Sequence, residues 1–151
     1  MREIKFRVYD TVNKCFISDM SNFWINPSFT AMMEWRPEFD GQMTFDLNDS
    51  LIFQQYTGLT DQNGREIYEG DILSFSKDSM EDYIVHAIVR YGTGQFDGGV
   101  YKYTGFYLES TGDDVNLKRG DIMEPYEITN LHNPKWHHYE VVGNIFEGID
   151  K

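Results

Sequence analysis

Apolar and polar residues alternate with a period of two along much of this 151-residue chain, and that rhythm commits it to β structure, where successive side chains point to opposite faces. Ile4, Phe6 and Val8 share one face of a strand whose other face carries Lys5, Arg7 and Tyr9. Met43, Phe45 and Leu47 alternate with Thr44 and Asp46, giving a second half-buried strand over 42–47. The longest pattern sets Tyr83, Val85, Ala87, Val89 and Tyr91 against Ile84, His86, Ile88 and Arg90. Both of its faces are largely apolar, which places it centrally in a sheet. Residues 105–109 and 139–146 supply further strands.

Turn chemistry separates these runs. Asp61-Gln62-Asn63-Gly64, Glu69-Gly70, Gly92-Thr93-Gly94 and Asp97-Gly98-Gly99 each carry residues that tolerate positive φ at little steric cost. Short strands joined by such turns predict an all-β barrel or sandwich. One stretch breaks the rhythm: residues 28–36 lie between Pro27 and Pro37 and are expected to form a short helix capped by Ser28 or Thr30. Residues 110–138 are polar, hold Pro125 and Pro134, and predict a long insertion with one short strand over 126–129.

Composition narrows the setting. An aromatic share of 16% is too high for a disordered chain. The apolar runs, such as Ala87-Ile88-Val89, fall far short of the roughly 20 residues that a membrane helix needs. Residues 1–6 alternate charge and hydrophobe where a secretory signal would be continuously apolar, and Cys15 is the lone cysteine, so a reducing cytoplasm is expected. The formal net charge is -12, spread over the chain: 5 basic and 8 acidic residues in 1–50, 3 and 8 in 51–100, and 5 and 9 in 101–151. Affinity for duplex nucleic acid rests largely on Lys and Arg neutralising phosphates, so double-stranded nucleic acid is a poor partner, with Arg2, Lys5 and Arg7 offering only a local contact.

Signatures of chemistry are weak. Gly92-Thr93-Gly94 follows a strand, but a dinucleotide fingerprint needs glycine at 97, where Asp97 stands, so a plain hairpin turn is expected. Asp61, Asn63 and Gly64 do not fit a calcium loop, because its closing Glu would fall on Gly70. Asp61 to Gly64 reads instead as a β-turn in which the Asp and Asn side chains bond to nearby backbone. His132, His137 and His138 lie close together without the convergent third or fourth ligand that zinc requires, and His86 reads as a packed histidine with one hydrogen bond. Glu66, Glu69 and Asp71 are the carboxylates available for acid–base work, but Asp71 after Gly70 is more simply a turn residue accepting backbone N–H bonds. No catalytic residue, cofactor or metal is expected. The aromatics are expected mainly in the core, with interface use as the alternative.

Three stretches together resemble one family. Residues 1–7 (MREIKFR), 55–72 (QYTGLTDQNGREIYEGDI) and 139–147 (YEVVGNIFE) are similar, in order and spacing, to the YopX family of phage and prophage proteins. The resemblance implies a phage- or prophage-encoded cytoplasmic protein of uncharacterised function whose C-terminal part is a small SH3-like barrel. It brings no catalytic residue. Its motif positions here are Tyr56, Gly58, Asp61, Gly64, Tyr68, Gly70, Asp71, Gly143 and Asn144, read as structural. On this basis the strands would run over 51–56, 65–68 and 71–76. Gly58, Gly64 and Gly70 would then serve the backbone, and Tyr56 and Tyr68 the barrel wall. Gly143 inside the last strand would mark a bulge or a close approach.

The expected organisation is a β-rich segment over 1–50 followed by an SH3-like barrel domain over 51–151. The expected function is a non-enzymatic module that binds a host or phage protein or assembles with itself, since small open barrels offer strand edges. Three alternatives remain open at this point. One is an acidic decoy of a nucleic-acid-binding host protein, and another is a single-strand binder using aromatic stacking. The third is a small hydrolase using Glu66, Glu69 or Asp71.

Overall fold

A computed structural model describes residues 3–21, 23–26, 28, 31–36, 41–46, 50–76, 84–96, 101–113, 116–123 and 139–149. Among them the chain is all-β, with strands and no helix. It folds as two compact units, Lys5–Gln54 and, with Met1–Ile4, Gln55–Lys151.

In the first unit, β1 (Phe6–Asp10) and β2 (Cys15–Phe16) pair antiparallel, Tyr9 opposite Phe16 and Asp10 opposite Cys15. Asp10 makes the turn between them: its carboxylate accepts the backbone N–H groups of Val12 and Asn13 at 2.8 and 3.0 Å and the Asn13 amide at 2.7 Å. These donors, the Asn13 N–H first among them, hold the Asp10 carboxyl below its usual range against the opposing effect of burial. β3 (Phe23–Ile25), β4 (Ala31–Arg36) and β5 (Gly41–Asp46) form a three-stranded antiparallel sheet with β4 in the middle. Val8, Met32 and Leu51 are buried together, with Ile17, Met20, Phe23, Ile25 and Phe53 packed on them.

The helix expected over 28–36 is therefore corrected: Ala31–Arg36 form a strand and Ser28 lies in a turn, while Phe29 and Thr30 lie outside the described residues. Flanking prolines restrict the residue before them to extended backbone, so Pro27 and Pro37 delimit a strand as readily as a helix. Within the stretch Met32 is buried, at 1% exposed, while Trp35, on the other face by strand alternation, is 43% exposed. Central pairing to β3 and β5 gives the β4 backbone partners on both sides, overriding the weak local preference of Ala31-Met32-Met33-Glu34 for a helix.

β6 (Leu51–Thr60) runs from the first unit into the second. There follow β7 (Glu66–Tyr68), β8 (Asp71–Ser76), β9 (Ile84–Phe96), β10 (Tyr101–Ser110), β11 (Glu140–Asn144) and β12 (Gly148–Ile149). The large antiparallel sheet has the order β10-β9-β8-β11-β12, so the long strand β9 is interior, as its pattern predicts. Leu73 and Phe75 of β8 face Ala87 and Val85 of β9, and Val89 faces Leu108 of β10. With Ile67, Phe106, Met123, Tyr139 and Val141 they form one buried cluster. The other face of β9 is less apolar in use than in sequence. His86, Ile88 and Arg90 are half-buried, Ile84 is exposed, and Arg90 meets Glu109 at 3.3 Å.

Gly92-Thr93-Gly94 is not a hairpin turn. It lies inside β9, opposite Gly105, Thr104 and Tyr103. The Thr93 and Thr104 hydroxyls are 2.9 Å apart, and the Tyr107 ring lies 3.8 Å from where a Gly92 Cβ would sit. That is an ordinary van der Waals distance, so the glycine is part of a continuous strand and makes no reversal. The Asp97-Gly98-Gly99 signal lies outside the described residues, as does the strand expected over 126–129. After β10 the chain folds back on itself. Ser110 and Met123 donate backbone N–H bonds to Asp121 and Leu108, Gly120 donates to Ser110, and Glu109 bridges Ile122.

Gly143 takes both roles expected of it. The pairing of β11 with β8 slips between Val141 and Gly143, a bulge, and β12 crosses directly over the glycine. A Cβ at 143 would overlap the Gly148 carbonyl oxygen and come within 2.7 Å of Ile149 Cα. Gly64 differs: its φ is +81° but open space surrounds it. We therefore expect Gly143→Ala to lower stability by about 3 kcal/mol or more through overlap with backbone. Gly64→Ala should cost only about 1–2 kcal/mol, from left-handed strain alone. Urea midpoints of the two variants check this order.

Candidate functional site

The motif residues converge on the corner where β6, β7, β8 and β11 meet. β6 pairs with β7 at Tyr56–Tyr68 and Thr60–Glu66, with a register shift between them where Gly58 takes a φ of 87°. The Tyr56 and Tyr68 rings stack at a tilt, 5.4 Å between centroids, and the Thr57 hydroxyl donates to the Ile67 carbonyl at 2.8 Å.

Two buried aspartates anchor this corner. Asp61 Oδ1 accepts the N–H groups of Asn63 and Arg65, both at 2.8 Å, and Oδ2 accepts the N–H of Val141 on β11 at 3.1 Å. The first pair shapes the turn that ends at Gly64; the third bond holds that turn on the sheet. Asp71 is 0% exposed. Its Oδ2 accepts the Tyr68 N–H at 2.7 Å, and its Oδ1 accepts the Asn144 side-chain amide at 3.3 Å. Gly70 between them donates to the Val89 carbonyl at 2.7 Å and accepts from Ile145 at 2.9 Å, using a φ of +81°. Asn144 also accepts the Phe146 N–H, closing the turn into β12. A buried carboxyl that takes up backbone N–H groups satisfies donors that strand pairing leaves over. The arrangement braces a fold.

The other sequence candidates are placed as follows. Glu66 accepts the Tyr68 hydroxyl at 2.7 Å. Half-burial pushes the Glu69 carboxyl above its ordinary range, against backbone donors at Gln55 and Tyr91 and the charge of Arg90. His86 is a half-exposed histidine: its Nδ1 meets Asp113 Oδ2 at 2.5 Å, while its N–H donates to the same carboxylate at 3.0 Å. Thr111 donates its hydroxyl to the His86 carbonyl at 2.9 Å and also contacts Asp113 at 2.8 Å. His132, His137 and His138 lie outside the described residues. Among the described residues no three His, Cys, Asp or Glu side chains gather as a metal site. Cys15 is exposed.

A surface that sequence reasoning missed lies on the three-stranded sheet. Register places Trp24, Met33 and Thr44 in one row across β3, β4 and β5, and alternation puts Trp35 on the same face as Met33. Trp24 is 53% exposed. The opposite face carries Phe23, Ile25 and Met32 into the core. A recess of about 190 Å³ is lined by Trp24, Ile25, Asn26, Met32, Met33 and Thr44. Trp24, Met33 and Trp35 thus share one face of this sheet, with both indoles exposed. The signal was present in Phe23-Trp24-Ile25 and Met33-Glu34-Trp35, but a helical reading of 28–36 scatters these side chains.

Comparison with known proteins bears on the whole chain. The family model described as YopX protein matches residues 5–148. Among solved structures, the crystal structure of protein EF1440 from Enterococcus faecalis is similar at 24% identity and a TM-score of 0.48, over 97% of this chain and 96% of that one. No curated protein matches the chain.

Two expectations follow from the polar anchors. Asp71→Ala strands two buried donors, the Tyr68 N–H and the Asn144 amide, and should cost about 3 kcal/mol of stability, with Asp71→Asn costing less because one acceptor oxygen remains. Denaturant midpoints measure both. For Asp113, partial burial opposes ionisation, but the His86 ring, the Thr111 hydroxyl and the His86 N–H together hold the carboxyl below its ordinary range. A depressed carboxyl stabilises the fold above the unfolded-state value of about 3.9 and loses that contribution as pH falls through the folded-state value. The His86 amide resonance should therefore titrate on the acid side of about pH 4, and Asp113→Asn should abolish that transition.

Proposed function

We propose that this chain, which belongs to the YopX family, is a non-enzymatic protein-binding module that holds its partner on the outward face of β3, β4 and β5. The observation that carries this reading is the pair of exposed indoles, Trp24 and Trp35, on one sheet face. Exposed tryptophans combine a large apolar area with few rotatable bonds and an N–H donor, which suits a contact that must be dry at its centre. We read the five-stranded sheet of the second unit as the wall of a small SH3-like barrel, braced by Asp61 and Asp71, and assign it the scaffold role. Family membership supports a phage or prophage origin, and the lone cysteine fits work in the host cytoplasm.

Single-stranded nucleic acid is the weaker reading. Arg7, which would have to meet phosphates, donates through Nε to Gln54 at 2.8 Å and lies 4.6 Å from the Phe16 ring centroid, and the chain carries a net charge of -12.

The test is photo-cross-linking from position 35 in the full chain, in host lysate treated with nuclease. We expect one protein adduct that disappears when Trp24→Ala is added while the circular dichroism spectrum stays unchanged. An adduct indifferent to Trp24, or none above the background of a label placed at Lys118, overturns the assignment of this face.

A further inference from the structure

We propose that Asn63 is a site of spontaneous covalent modification: its side chain loses ammonia to the Gly64 backbone, at a rate that the Asp61 turn controls. The sequence selects the position. Asparagine is among the chemically labile side chains, and no asparagine of this chain other than Asn63 precedes a glycine. A glycine has no Cβ to crowd its own nitrogen, so Gly64 is the least obstructed nucleophile that any asparagine here has beside it. Asn63 and Gly64 are both exposed, and nothing stands near the place a Gly64 Cβ would take, so water reaches them.

The step balances with water as its one co-reactant. The Gly64 nitrogen attacks Asn63 Cγ and forms a C–N bond; the Cγ–Nδ2 bond breaks, and the amide leaves as ammonia with the proton from Gly64. The cyclic imide that results takes up a water molecule. Cleavage between Cγ and the nitrogen gives aspartate at 63. Cleavage on the other side gives isoaspartate, in which the main chain runs through Cβ and Cγ.

The folded turn restrains that attack. The Gly64 N–H donates to the Asp61 carbonyl at 3.0 Å, and the Asn63 N–H donates to Asp61 Oδ1 at 2.8 Å. The Asn63 side-chain amide donates to Glu140 at 3.4 Å, so nucleophile and leaving group are each held by another partner. Asp61 Oδ1 also takes the Arg65 N–H at 2.8 Å, which fixes the chain beyond Gly64. The Gly64 nitrogen meets Cγ only when the turn opens, and Asp61 opposes opening from both ends.

The products work against the same contacts. Aspartate at 63 sets a carboxylate against Glu140 where an amide had donated. Isoaspartate lengthens the main chain between the two N–H groups that Asp61 Oδ1 accepts, so both bonds cannot be kept. The turn is also fastened to the strand behind it. Gln62 donates to the Tyr139 carbonyl at 3.0 Å, Asp61 Oδ2 accepts the Val141 N–H at 3.1 Å, and Arg65 donates to the Val141 carbonyl at 3.2 Å. Modification of one exposed residue therefore loosens β11 and gives the fold a chemical lifetime.

The experiment incubates the full chain in mildly alkaline buffer, native and in urea. Ammonia loss at each asparagine is followed by peptide mass mapping, and isoaspartate by enzymatic methyl transfer. Asp40–Gly41 and Asp97–Gly98 form isoaspartate without releasing ammonia, so mass separates them from Asn63. In urea Asn63 should react faster than every other asparagine, and Gly64→Ala should slow it. In the native chain Asn63 should react about tenfold more slowly, by the factor that protects the Gly64 and Arg65 amides against hydrogen exchange. Asp61→Ala should remove this protection and leave the rate in urea unchanged; should that variant not fold, the match between exchange and deamidation in the unaltered chain decides. The modified fraction, separated by its added charge, should unfold at lower urea and exchange the Val141 amide faster.

Reaction of Asn63 in urea no faster than that of Asn13 or Asn116 overturns the site. A native rate equal to the rate in urea, or one unrelated to exchange at Gly64 and Arg65, overturns the restraint by Asp61. A modified fraction with an unchanged urea midpoint overturns the coupling to β11.

Discussion

The second unit depends on the carboxyl group of Asp71. A fully buried acid is expensive to desolvate, and it persists in a native structure only where its oxygens replace the hydrogen bonds lost to water. Here they do so by taking the Tyr68 N–H and the Asn144 amide, residues separated by most of the unit's length. One side chain therefore fixes the β7–β8 corner and the β11–β12 turn together, and Gly70, within that corner, ties the same turn to β9 through its own backbone. Asp61 repeats the device one turn earlier, joining the 61–65 reversal to β11. Because the sequence separation closed by each aspartate is long, these bonds specify which strands meet, a role that non-directional apolar burial among Leu73, Val85 and Val89 cannot fill.

The same logic explains why the motif is dense in glycine. A corner that turns a side-chain carboxyl back onto its own backbone needs positive φ next to it, and Gly64 and Gly70 supply that. Gly143 answers a different need. Its missing Cβ lets β12 close on β11 and brings Asn144 to Asp71. The motif residues Asp61, Gly70, Asp71 and Asn144, read from the sequence as structural, make internal hydrogen bonds here.

Period-two burial was legible wherever one strand face meets a core, as at Val85, Ala87 and Val89, because that constraint is local and repeats. The roles of Asp61 and of Gly143 were legible too, since turn chemistry and a glycine within a strand each have few physical explanations. Three features were not. The β4 strand was hidden because its helix-tolerant residues and flanking prolines are consistent with either structure, and only pairing on both sides decides. Gly92-Thr93-Gly94 imitates a turn because sequence cannot show that Gly105 and the Tyr107 ring lie against it. The Trp24–Trp35 surface depends on the register of three strands, and register belongs to tertiary structure.

These differences divide the chain's properties between its units. In the second unit, Asp61 and Asp71 are turned inward and taken up by backbone donors. In the first, the sheet is thin: Phe23, Ile25 and Met32 fill one face, and the two tryptophans have no counterpart layer among the described residues. A three-stranded sheet gains little from leaving two indoles in water, since burying side chains of that size is among the largest apolar contributions available to a small domain. Short strands with few buried contacts also open at lower free energy than core strands do. The first unit thus carries a face on which two exposed indoles would gain from being covered. Under the proposed function, a partner covering this face would also stabilise β3, β4 and β5, because anything that binds the folded sheet alone shifts its equilibrium by mass action.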